Sequence, residues 1–587
     1  MTETTDAQLC ADARAWAAQD PDPETRAEAE ALADAAEAGH EEARAELRDR
    51  FDGRLGFGTA GLRAELGAGP RRMNRVVVSQ TSAGFAAYLR DRATRGETTS
   101  PPTAVVGYDG RVGSEVFARD TAEVLAGAGI RVTLLPEAGP TPLTAFAVRH
   151  LDASAGVMIT ASHNPPRDNG YKVYLGDADG GSQIAPPVDA EIAARIAVAA
   201  ERPFTEIARG TGVTIAGPEL ADAYVRETAA AVVAGIAPEA ESDLTASLTV
   251  VYTAMHGVGA ELGRRVFSAA GLPHVVPVPE QDRPDGEFPT LAFPNPEEEG
   301  ALDFAYALAS DVGADLIVAH DPDADRLGLA APDPANGGAY RRLSGNELGL
   351  LLGWRAAERR LREAERDALP VSGALANTIV SSPALGAVAR AHGLGIVETL
   401  SGFKWVSRVP DLVFGYEEAL GYLPFPGVVR DKDGIQASAD AIAMVRELAA
   451  QGRTVWDRLD EASERFGHFA SAQVVVRLDG IDRVERLAEL IRQDPPTEFD
   501  GVEVKRFVDL RAPGAAEVPA NVLRFDLSGG SRIMIRPSGT EPKLKIYLDA
   551  RSGKGSVAER RRKAEKRLRR LEAAIREHLD GLQAESA

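Results

Sequence analysis

The chain has 587 residues, which excludes a single small domain and favours about four, since an average domain has roughly 150 residues. Apolar residues make up 44% and charged residues 26% of the chain, values that exclude wholesale disorder. The net charge of -22 argues against nucleic acid as the main partner, because duplex binding normally needs a basic face.

The sequence gives no sign of secretion or of a membrane span. Cys10 is the only cysteine, so no intramolecular disulfide can form. Residues 1–10 lack a basic segment followed by an apolar run, and no stretch approaches the roughly 18 uninterrupted apolar residues of a membrane helix. We therefore expect a cytoplasmic protein with no membrane or nucleic-acid partner. The oligomeric state cannot be predicted from the sequence.

Helix-forming residues dominate the first 50 positions, which carry no catalytic motif and whose role the sequence does not reveal. Their composition predicts two helices that are broken near Pro21 and Pro23. From about residue 74, strand-like and helix-like segments alternate, which indicates about three similar α/β units. Strands are predicted at 75–78, 103–106, 248–252 and 315–319, and helices at 83–90, 115–128, 260–270 and 343–362.

The last part of the chain shows a different pattern of predicted strands and helices. Strands are predicted at 473–478, 522–527, 532–536 and 543–548, before a helix that follows Ser556. This pattern favours a smaller α+β domain. Stretches containing Pro and Gly predict the boundaries. We expect a helical extension at 1–50, α/β domains at 51–210, 211–332 and 333–468, and a C-terminal domain at 469–587.

The first candidate site follows the apolar run 155–159, which predicts a buried strand ending in a polar loop. That loop holds Ser162, His163 and Asn164. A serine at a strand end can act as a nucleophile, although an ordinary turn is the simpler explanation of the motif taken alone. No G-x-S-x-G surrounds Ser162, which excludes a serine-hydrolase elbow, and Pro165 excludes glycosylation of Asn164.

Three aspartates, Asp321, Asp323 and Asp325, follow another apolar run. Carboxylates at alternate positions of a turn can converge on one hard cation and leave room for phosphate oxygen, which suits Mg²⁺. An EF-hand would need Gly at the sixth position and Glu at the twelfth, where this chain has Arg326 and Pro332. A charged surface turn is the alternative, but three mutually repelling acids call for a cationic partner.

A third turn, within residues 536–545, predicts a phosphate cradle rather than a simple turn. Arg536 offers a bidentate guanidinium, and Gly539 lets backbone N–H groups approach an anion. Ser538 and Thr540 add hydroxyl groups.

Further polar turns carry charged residues that suit a sugar phosphate. Glu417 and Glu418 lie in a Gly-bounded turn, where they can accept hydrogen bonds from sugar hydroxyls or from water. Lys404 and Lys432 lie in comparable turns, and a solvated surface lysine is the alternative for each.

Gly56, Gly58 and Gly61 spell G-x-G-x-x-G, but no buried strand precedes them and no acid lies about 20 residues further on. Dinucleotide binding is therefore rejected for this motif. The same segment offers a flexible loop that ends in the guanidinium of Arg63.

Together these loops supply a nucleophile, a cation site, a phosphate cradle and hydroxyl-binding acids, which are the parts of phosphoryl transfer. A kinase would need a nucleotide site, and the sequence has no G-x-x-x-x-G-K-[ST]. A phosphatase would need no second phosphate site. A cradle that holds one phosphate while another moves indicates a mutase.

The segments TASHNP, DPDADR, GYEEALGY and RPSGTEPK resemble the α-D-phosphohexomutases, in that family's order. GTAGLR, SGFKWV, GYEEALGY and RDKDG are similar to the branch that contains bacterial phosphoglucomutases and phosphomannomutases together with animal phosphopentomutase. The resemblance implies an α/β fold of four domains around a central cleft, three of them similar and the fourth a smaller phosphate-binding domain.

The resemblance also implies a mechanism. Ser162 would be carried as phosphoserine, and its phosphate would bind Mg²⁺ together with the three aspartates. Transfer to a sugar 1-phosphate would give a bound bisphosphate, which would turn over and return its other phosphate to Ser162. A sugar 1,6-bisphosphate would serve as activator.

The resemblance assigns the remaining roles as follows. The residues lining the reacting centre would be Arg63, His163, Lys172 and Arg326. The residues binding the substrate would be Lys404, Glu417, Glu418, Lys432, Arg536, Ser538, Gly539 and Thr540. Among these, the candidates for proton transfer or phosphate contact are Lys172, Lys404 and Lys432. Together, the basic residues would make a locally positive cleft in an acidic protein.

Ala419 departs from the family pattern, because many hexomutases carry Ser two positions after the sugar-binding Glu. The loss of one hydroxyl leaves the choice among glucose, mannose and pentose phosphates open. We expect a phosphoglucomutase, with phosphomannomutase or phosphopentomutase as alternatives. Alternatives of other classes are a noncatalytic sugar-phosphate sensor and a metal-dependent phosphohydrolase. The basic run 560–570 is interpreted as the solvated face of a closing helix.

Overall fold

A computed structural model describes residues 5–236, 248–515, 518–537 and 542–586. The chain divides into two compact units. The first comprises Met1–Leu343, Phe403–Arg408 and Ala419–Glu447, and the second comprises Ser344–Gly402, Val409–Glu418 and Leu448–Ala587. Within the described ranges, no helix combines the length and the apolar character needed to cross a membrane.

Three helices precede the first sheet: Asp6–Gln19, Pro23–Glu37 and Glu41–Phe51. The predicted break near Pro21 and Pro23 is present, but a second break after Glu37, where Gly39 adopts a φ of 95°, was not predicted. Such a left-handed residue commonly ends a helix. Trp16 packs edge-to-face on Phe51, with ring centroids 6.3 Å apart. The three helices share one hydrophobic core with the first sheet.

The first sheet has the order β1-β5-β4-β2-β3-β7, with β6 beside β5. Its strands are β1 Leu62–Glu65, β2 Thr103–Tyr108, β3 Arg131–Leu134, β4 Ala155–Ile159, β5 Asp168–Leu175, β6 Ser182–Gln183 and β7 Val213–Ile215. Its helices are Arg75–Thr94, Ser114–Gly127, Thr141–His150 and Val188–Ala199, and the helix Pro218–Gly235 that follows β7 packs mainly on the helix Ala260–Ala269. Strands β2, β3, β4 and β7 are parallel, whereas β5 is antiparallel to β4.

The prediction of a strand at 75–78 was wrong, because these residues begin the helix Arg75–Thr94. The side chain of Asn74 caps that helix by accepting a hydrogen bond of 2.9 Å from the N–H of Val77. The β-branched residues that suggested a strand are buried in the helix, and packing overrides their weak intrinsic preference.

The second sheet, ordered β12-β11-β10-β8-β9, repeats this arrangement, with β11 antiparallel to β10. Its strands are β8 Val250–Thr253, β9 Val275–Pro277, β10 Leu316–His320, β11 Leu327–Asp333 and β12 Ala339–Arg342, and its helices are Ala260–Ala269 and Asp303–Val312. The sheet continues to Arg342, beyond the boundary expected at 332.

A third group of strands contains β13 Ala374–Thr378, β14 Gly395–Thr399 and β15 Leu412–Glu417, and β16 Gly421–Leu423 follows in the chain. Strands β14, β13 and β15 are parallel and have the same relative order as β9, β8 and β10. The helices of this part are Gly345–Arg366, Ala384–Ala391, Phe403–Val406, Gly434–Ala450 and Val455–Phe466. The prediction of three similar α/β units is thus confirmed.

The C-terminal sheet is antiparallel throughout, with the order β17-β22-β21-β20-β19-β18. Its strands are β17 His468–Arg477, β18 Glu498–Phe499, β19 Val502–Asp509, β20 Leu523–Leu527, β21 Arg532–Pro537 and β22 Lys543–Ser552. Its helices are Ile481–Gln493 and Val557–Ser586. The predicted α+β class of this part is confirmed. Within the basic run, Arg561 pairs with Asp460 and Arg570 pairs with Asp500.

Candidate active site

The loops that carry the sequence motifs occupy equivalent places in the three similar α/β units. The loop that joins β4 to β5 carries Ser162, the loop that joins β10 to β11 carries the three aspartates, and Glu417 ends β15. Each loop follows the carboxyl end of a parallel strand, where α/β proteins commonly bind ligands. Each also contains one non-glycine residue with positive φ: Ser162 at 54°, Ala324 at 53° and Leu420 at 61°. Strained backbone of this kind concentrates at functional sites.

Ser162 is buried, and its hydroxyl contacts both an acid and an imidazole. Its Oγ donates a hydrogen bond of 3.0 Å to Oδ2 of Asp321 and lies 3.1 Å from Nδ1 of His163. Its backbone N–H donates to Oγ1 of Thr160 at 2.9 Å. Burial, together with the charges of Arg326 and Arg63, holds the pKa of His163 well below its usual value, so the ring is neutral.

The three aspartates converge as their spacing suggests. One carboxylate oxygen from each of Asp321, Asp323 and Asp325 lies within 4.8 Å of the others, and all three residues are buried. Oδ1 of Asp323 and Oδ1 of Asp325 accept no hydrogen bond from any described residue. Buried carboxylate oxygens without a donor are costly, and a hard cation prefers this type of ligand. The arrangement therefore fits a divalent cation.

Basic side chains surround these acids. Nζ of Lys172 lies 2.7 Å from Oδ2 of Asp323 and 2.9 Å from Oδ2 of Asp325. Nζ of Lys432 lies 3.3 Å from the same oxygen of Asp325, and Nε of Arg326 lies 3.7 Å from its Oδ1. Burial opposes ionisation of Asp325, but Lys172 and Lys432 outweigh it and lower the pKa of this carboxyl.

At the other two carboxyls of the cluster, burial outweighs the nearby positive charges. Burial, reinforced by the charge of Asp325, raises the pKa of both Asp321 and Asp323. At Lys172, burial alone would lower the pKa, but Asp323 and Asp325 outweigh it and raise the pKa of the amine. Lys172 is therefore charged when it contacts the acids.

Two further predicted residues belong to the first compact unit: Arg63 lies in β1, and Lys404 lies in the helix Phe403–Val406 and contacts the loop before β1. Nη1 of Arg63 donates a hydrogen bond of 3.0 Å to Oδ1 of Asn164, in the loop that carries Ser162. Nζ of Lys404 donates to Oγ1 of Thr59 at 2.8 Å. Gly58 and Gly61 exchange backbone hydrogen bonds of 3.1 and 2.8 Å, which closes this loop into a tight turn.

Thr141 is a residue of the site that the sequence analysis missed. It begins the helix Thr141–His150, and its Oγ1 donates a hydrogen bond of 2.6 Å to Oδ2 of Asp323. Its N–H also donates to the carbonyl of Asp323 at 2.9 Å. The only signal in the sequence is a threonine between two prolines, which is typical of many helix starts.

The second of the two compact units holds Glu417, Glu418 and Arg536, which were predicted to bind sugar and phosphate. Oε2 of Glu418 accepts hydrogen bonds from Thr378 at 3.0 Å and from Ser381 at 2.8 Å. Burial and the charge of Glu418 raise the pKa of Tyr547 to about 12, against the opposing effect of Arg536, which hydrogen-bonds it. Ser538, Gly539 and Thr540 lie outside the described residues, so the cradle stays a prediction.

Four family models match successive parts of the chain. Three are described as phosphoglucomutase/phosphomannomutase alpha/beta/alpha domains I, II and III, and they match residues 54–203, 222–337 and 344–466. The fourth is described as the C-terminal domain and matches residues 483–576.

Similar proteins extend over most of the chain. A Haemophilus influenzae protein named "Probable phosphomannomutase" is 45% identical over 83% of this chain and 95% of its own length. The phosphopentomutase of Homo sapiens is 34% identical over 91% of this chain and 90% of its own length. A phosphoglucomutase of Staphylococcus epidermidis is 32% identical over 86% of this chain and 92% of its own length.

Proposed function

The chain belongs to the phosphoglucomutase/phosphomannomutase family and is therefore a mutase of the isomerase class, and we propose that it interconverts glucose 1-phosphate and glucose 6-phosphate. The observation that carries the proposal is the hydroxyl of Ser162, 3.0 Å from Oδ2 of Asp321 in a cluster of three buried aspartates. A nucleophile beside such a cluster supports phosphoryl transfer.

In the proposed reaction Ser162 is carried as phosphoserine. Transfer breaks the bond between phosphorus and Oγ of Ser162 and forms a bond between phosphorus and a sugar hydroxyl oxygen, which loses its proton. The return transfer reverses these changes at the other end of the sugar bisphosphate, so the cycle consumes no water and no net proton. A bisphosphate that escapes can be replaced by added glucose 1,6-bisphosphate.

The residues around Ser162 support this cycle. Asp321, Asp323 and Asp325 would hold Mg²⁺, which when bound neutralises charge on the phosphoryl group during transfer. Nδ1 of His163, 3.1 Å from Oγ of Ser162, is the group placed to exchange a proton with that oxygen.

Cationic residues supply the remaining contacts in this proposal. Lys172, Arg63 and Arg326 orient the phosphoryl group, and Lys404 and Lys432 contact phosphate or carry a proton. In the second compact unit, Arg536 holds the phosphate that is not reacting, together with Ser538, Gly539 and Thr540. Glu417 accepts hydrogen bonds from sugar hydroxyls, whereas Glu418, bound to Thr378 and Ser381, supports the turn.

The test is a substrate panel with purified protein, Mg²⁺ and catalytic glucose 1,6-bisphosphate. We expect the highest kcat/KM for glucose phosphates, compared with mannose, ribose and deoxyribose phosphates. A higher kcat/KM for mannose or pentose phosphates would show that these, and not glucose phosphates, are the preferred substrates. Binding of sugar phosphates without turnover would indicate a sensor, and stoichiometric release of inorganic phosphate would indicate a phosphohydrolase.

The Gly61→Ala substitution is expected to lower kcat/KM by about 100-fold, the order of loss that a displacement of about 1 Å can cause. Gly61 has a φ of 76°, and a Cβ there would lie 1.7 Å from the backbone oxygen of Tyr171. The clash would separate β1 from β5 and displace Arg63. Steady-state kinetics measure the effect.

The matched control is Gly56→Ala, because a Cβ at Gly56 meets nothing within 4 Å. We expect this variant to keep the wild-type kcat/KM. Equal activity of the two variants would show that the close approach of Gly61 to Tyr171 does not position Arg63.

A further inference from the structure

The guanidinium of Arg111 lies beneath the loop that carries Ser162 and donates to four of its backbone carbonyls. Nη2 donates hydrogen bonds of 2.7 Å to the carbonyl oxygens of Ser162 and Asn164. Nη1 donates to the carbonyl oxygens of Pro165 at 2.8 Å and of Asp168 at 3.0 Å. The side chain of Arg111 has no exposed surface. One buried charged group thus satisfies four carbonyls between Ser162 and the start of β5.

A second set of contacts fixes Arg111 itself. Nε lies 3.5 Å from Oδ2 of Asp109, whose Oδ1 accepts hydrogen bonds from the N–H of Arg111 at 3.1 Å and from Oγ of Ser114 at 2.7 Å. The guanidinium also lies 4.9 Å from the ring centroid of Phe288. A buried charge is tolerated when it is paired and hydrogen-bonded. Here the terminal nitrogens of Arg111 are hydrogen-bonded, whereas Nε of Arg111 and Oδ2 of Asp109 are held together as an ion pair and make no hydrogen bond with a described residue.

These contacts bear directly on the conformation of Ser162. Its φ of 54° lies in the left-handed region, which non-glycine residues rarely adopt without support. The carbonyl of Ser162 is itself one of the four acceptors of Arg111. Fixing that carbonyl restricts the rotation of the backbone at Ser162 and hence the direction of its Oγ.

We propose that Arg111 is a positioning residue for Ser162, with Asp109 holding the guanidinium in place. The planar fork of arginine carries two donors on each terminal nitrogen and can bind four carbonyls at once, whereas the three donors of lysine radiate from a single atom. In-line phosphoryl transfer depends on the direction of the nucleophile. This inference rests on the proposed role of Ser162.

The test compares Arg111→Lys with Arg119→Lys, which changes an exposed arginine on the adjacent helix paired with Glu115. The first measurement is the rate at which glucose 1,6-bisphosphate phosphorylates Ser162 in dephosphorylated enzyme, followed by intact mass. The others are kcat and KM, each normalised to the fraction of folded protein. For Arg111→Lys we expect the phosphorylation rate and kcat to fall about 100-fold, with KM changed less than about threefold. Arg119→Lys should match the wild type.

A loss of activity that only follows the loss of folded protein, or an Arg111→Lys enzyme with wild-type kcat, would overturn the inference. If Arg111→Lys does not fold, Asp109→Asn tests it instead, because that change keeps the four carbonyl bonds but removes the charge beside Nε. It should lower kcat more than it raises KM, and an unchanged kcat would overturn the inference. Wild-type enzyme that takes up no phosphate at Ser162 would instead refute the proposed function.

Discussion

Ser162→Ala enzyme is expected to lose at least about 10⁴-fold in kcat, the order of loss seen when a nucleophile is removed. The hydroxyl of Ser162 is the oxygen proposed to carry the phosphoryl group, so alanine leaves no acceptor at that position. The fold should survive, because one hydrogen bond to a charged group contributes only about 1.5–3 kcal/mol. Asp321, the partner of that hydroxyl, keeps a hydrogen bond of 3.0 Å from the N–H of Arg326. A coupled assay of glucose 1-phosphate conversion measures the loss.

The control is Ser310→Ala, which removes one hydroxyl that donates to the carbonyl of Tyr306, because Ser310 is exposed on the helix Asp303–Val312. It should keep the wild-type kcat, and both variants should melt near the wild-type temperature. Ser162→Ala enzyme that keeps more than about 1% of the wild-type kcat, far above the expected residual activity, would show that another group is the nucleophile.

The parts of this site that the sequence predicted are those encoded by neighbouring residues. The apolar run Ala155–Ile159 forms strand β4 over the predicted residues, because its five apolar positions are all buried. The three aspartates converge because alternate residues of one short turn can face the same point. In both cases the information lies within a few positions of the chain.

The parts that the sequence did not predict depend on contacts between distant residues. Thr141 reaches Asp323 across 182 positions, and Arg111 reaches the carbonyl of Ser162 across 51. A backbone carbonyl leaves no signature in the sequence, so the partners of Arg111 could not be read from residue types. The helix Arg75–Thr94 was predicted only at 83–90, and its start was missed for a related reason, because tertiary burial decides the conformation of a β-branched run.

The local charge around Ser162 and the three aspartates also differs from what the net charge of -22 suggests. Cationic side chains lie close to each of the three aspartates. The side chains involved are Lys172, Arg326 and Lys432. A phosphate bound at this site, as proposed above, would therefore lie near fixed positive groups although the protein as a whole is acidic. The same groups outweigh burial at Asp325 and lower the pKa of its carboxyl, whereas burial and the charge of Asp325 raise the pKa of Asp321 and Asp323.

Replacing Asp325 with asparagine is expected to raise the Mg²⁺ concentration needed for half-maximal activity by about 100-fold or more, since even residues that only support metal ligands typically contribute 10- to 100-fold. Asp325 accepts a hydrogen bond of 2.9 Å from Lys172 and lies 3.3 Å from Lys432. The neutral amide of asparagine would be a weaker partner for the amines of Lys172 and Lys432 than the carboxylate is. Lys172 would also lose one of the two carboxylates that keep its pKa high against burial.

The measurement is a titration of activity with Mg²⁺ after treatment with a chelator, together with calorimetry of Mg²⁺ binding. Asp311→Asn is the matched control, because Asp311 is exposed on the helix Asp303–Val312 and the charge removed is the same. It should bind Mg²⁺ as the wild type does. An Asp325→Asn enzyme with a wild-type Mg²⁺ requirement would show that the buried cluster is an ion-pair network with Lys172 and Lys432. The cation would then have to bind elsewhere, and Ser162 would lie beside a structural acid.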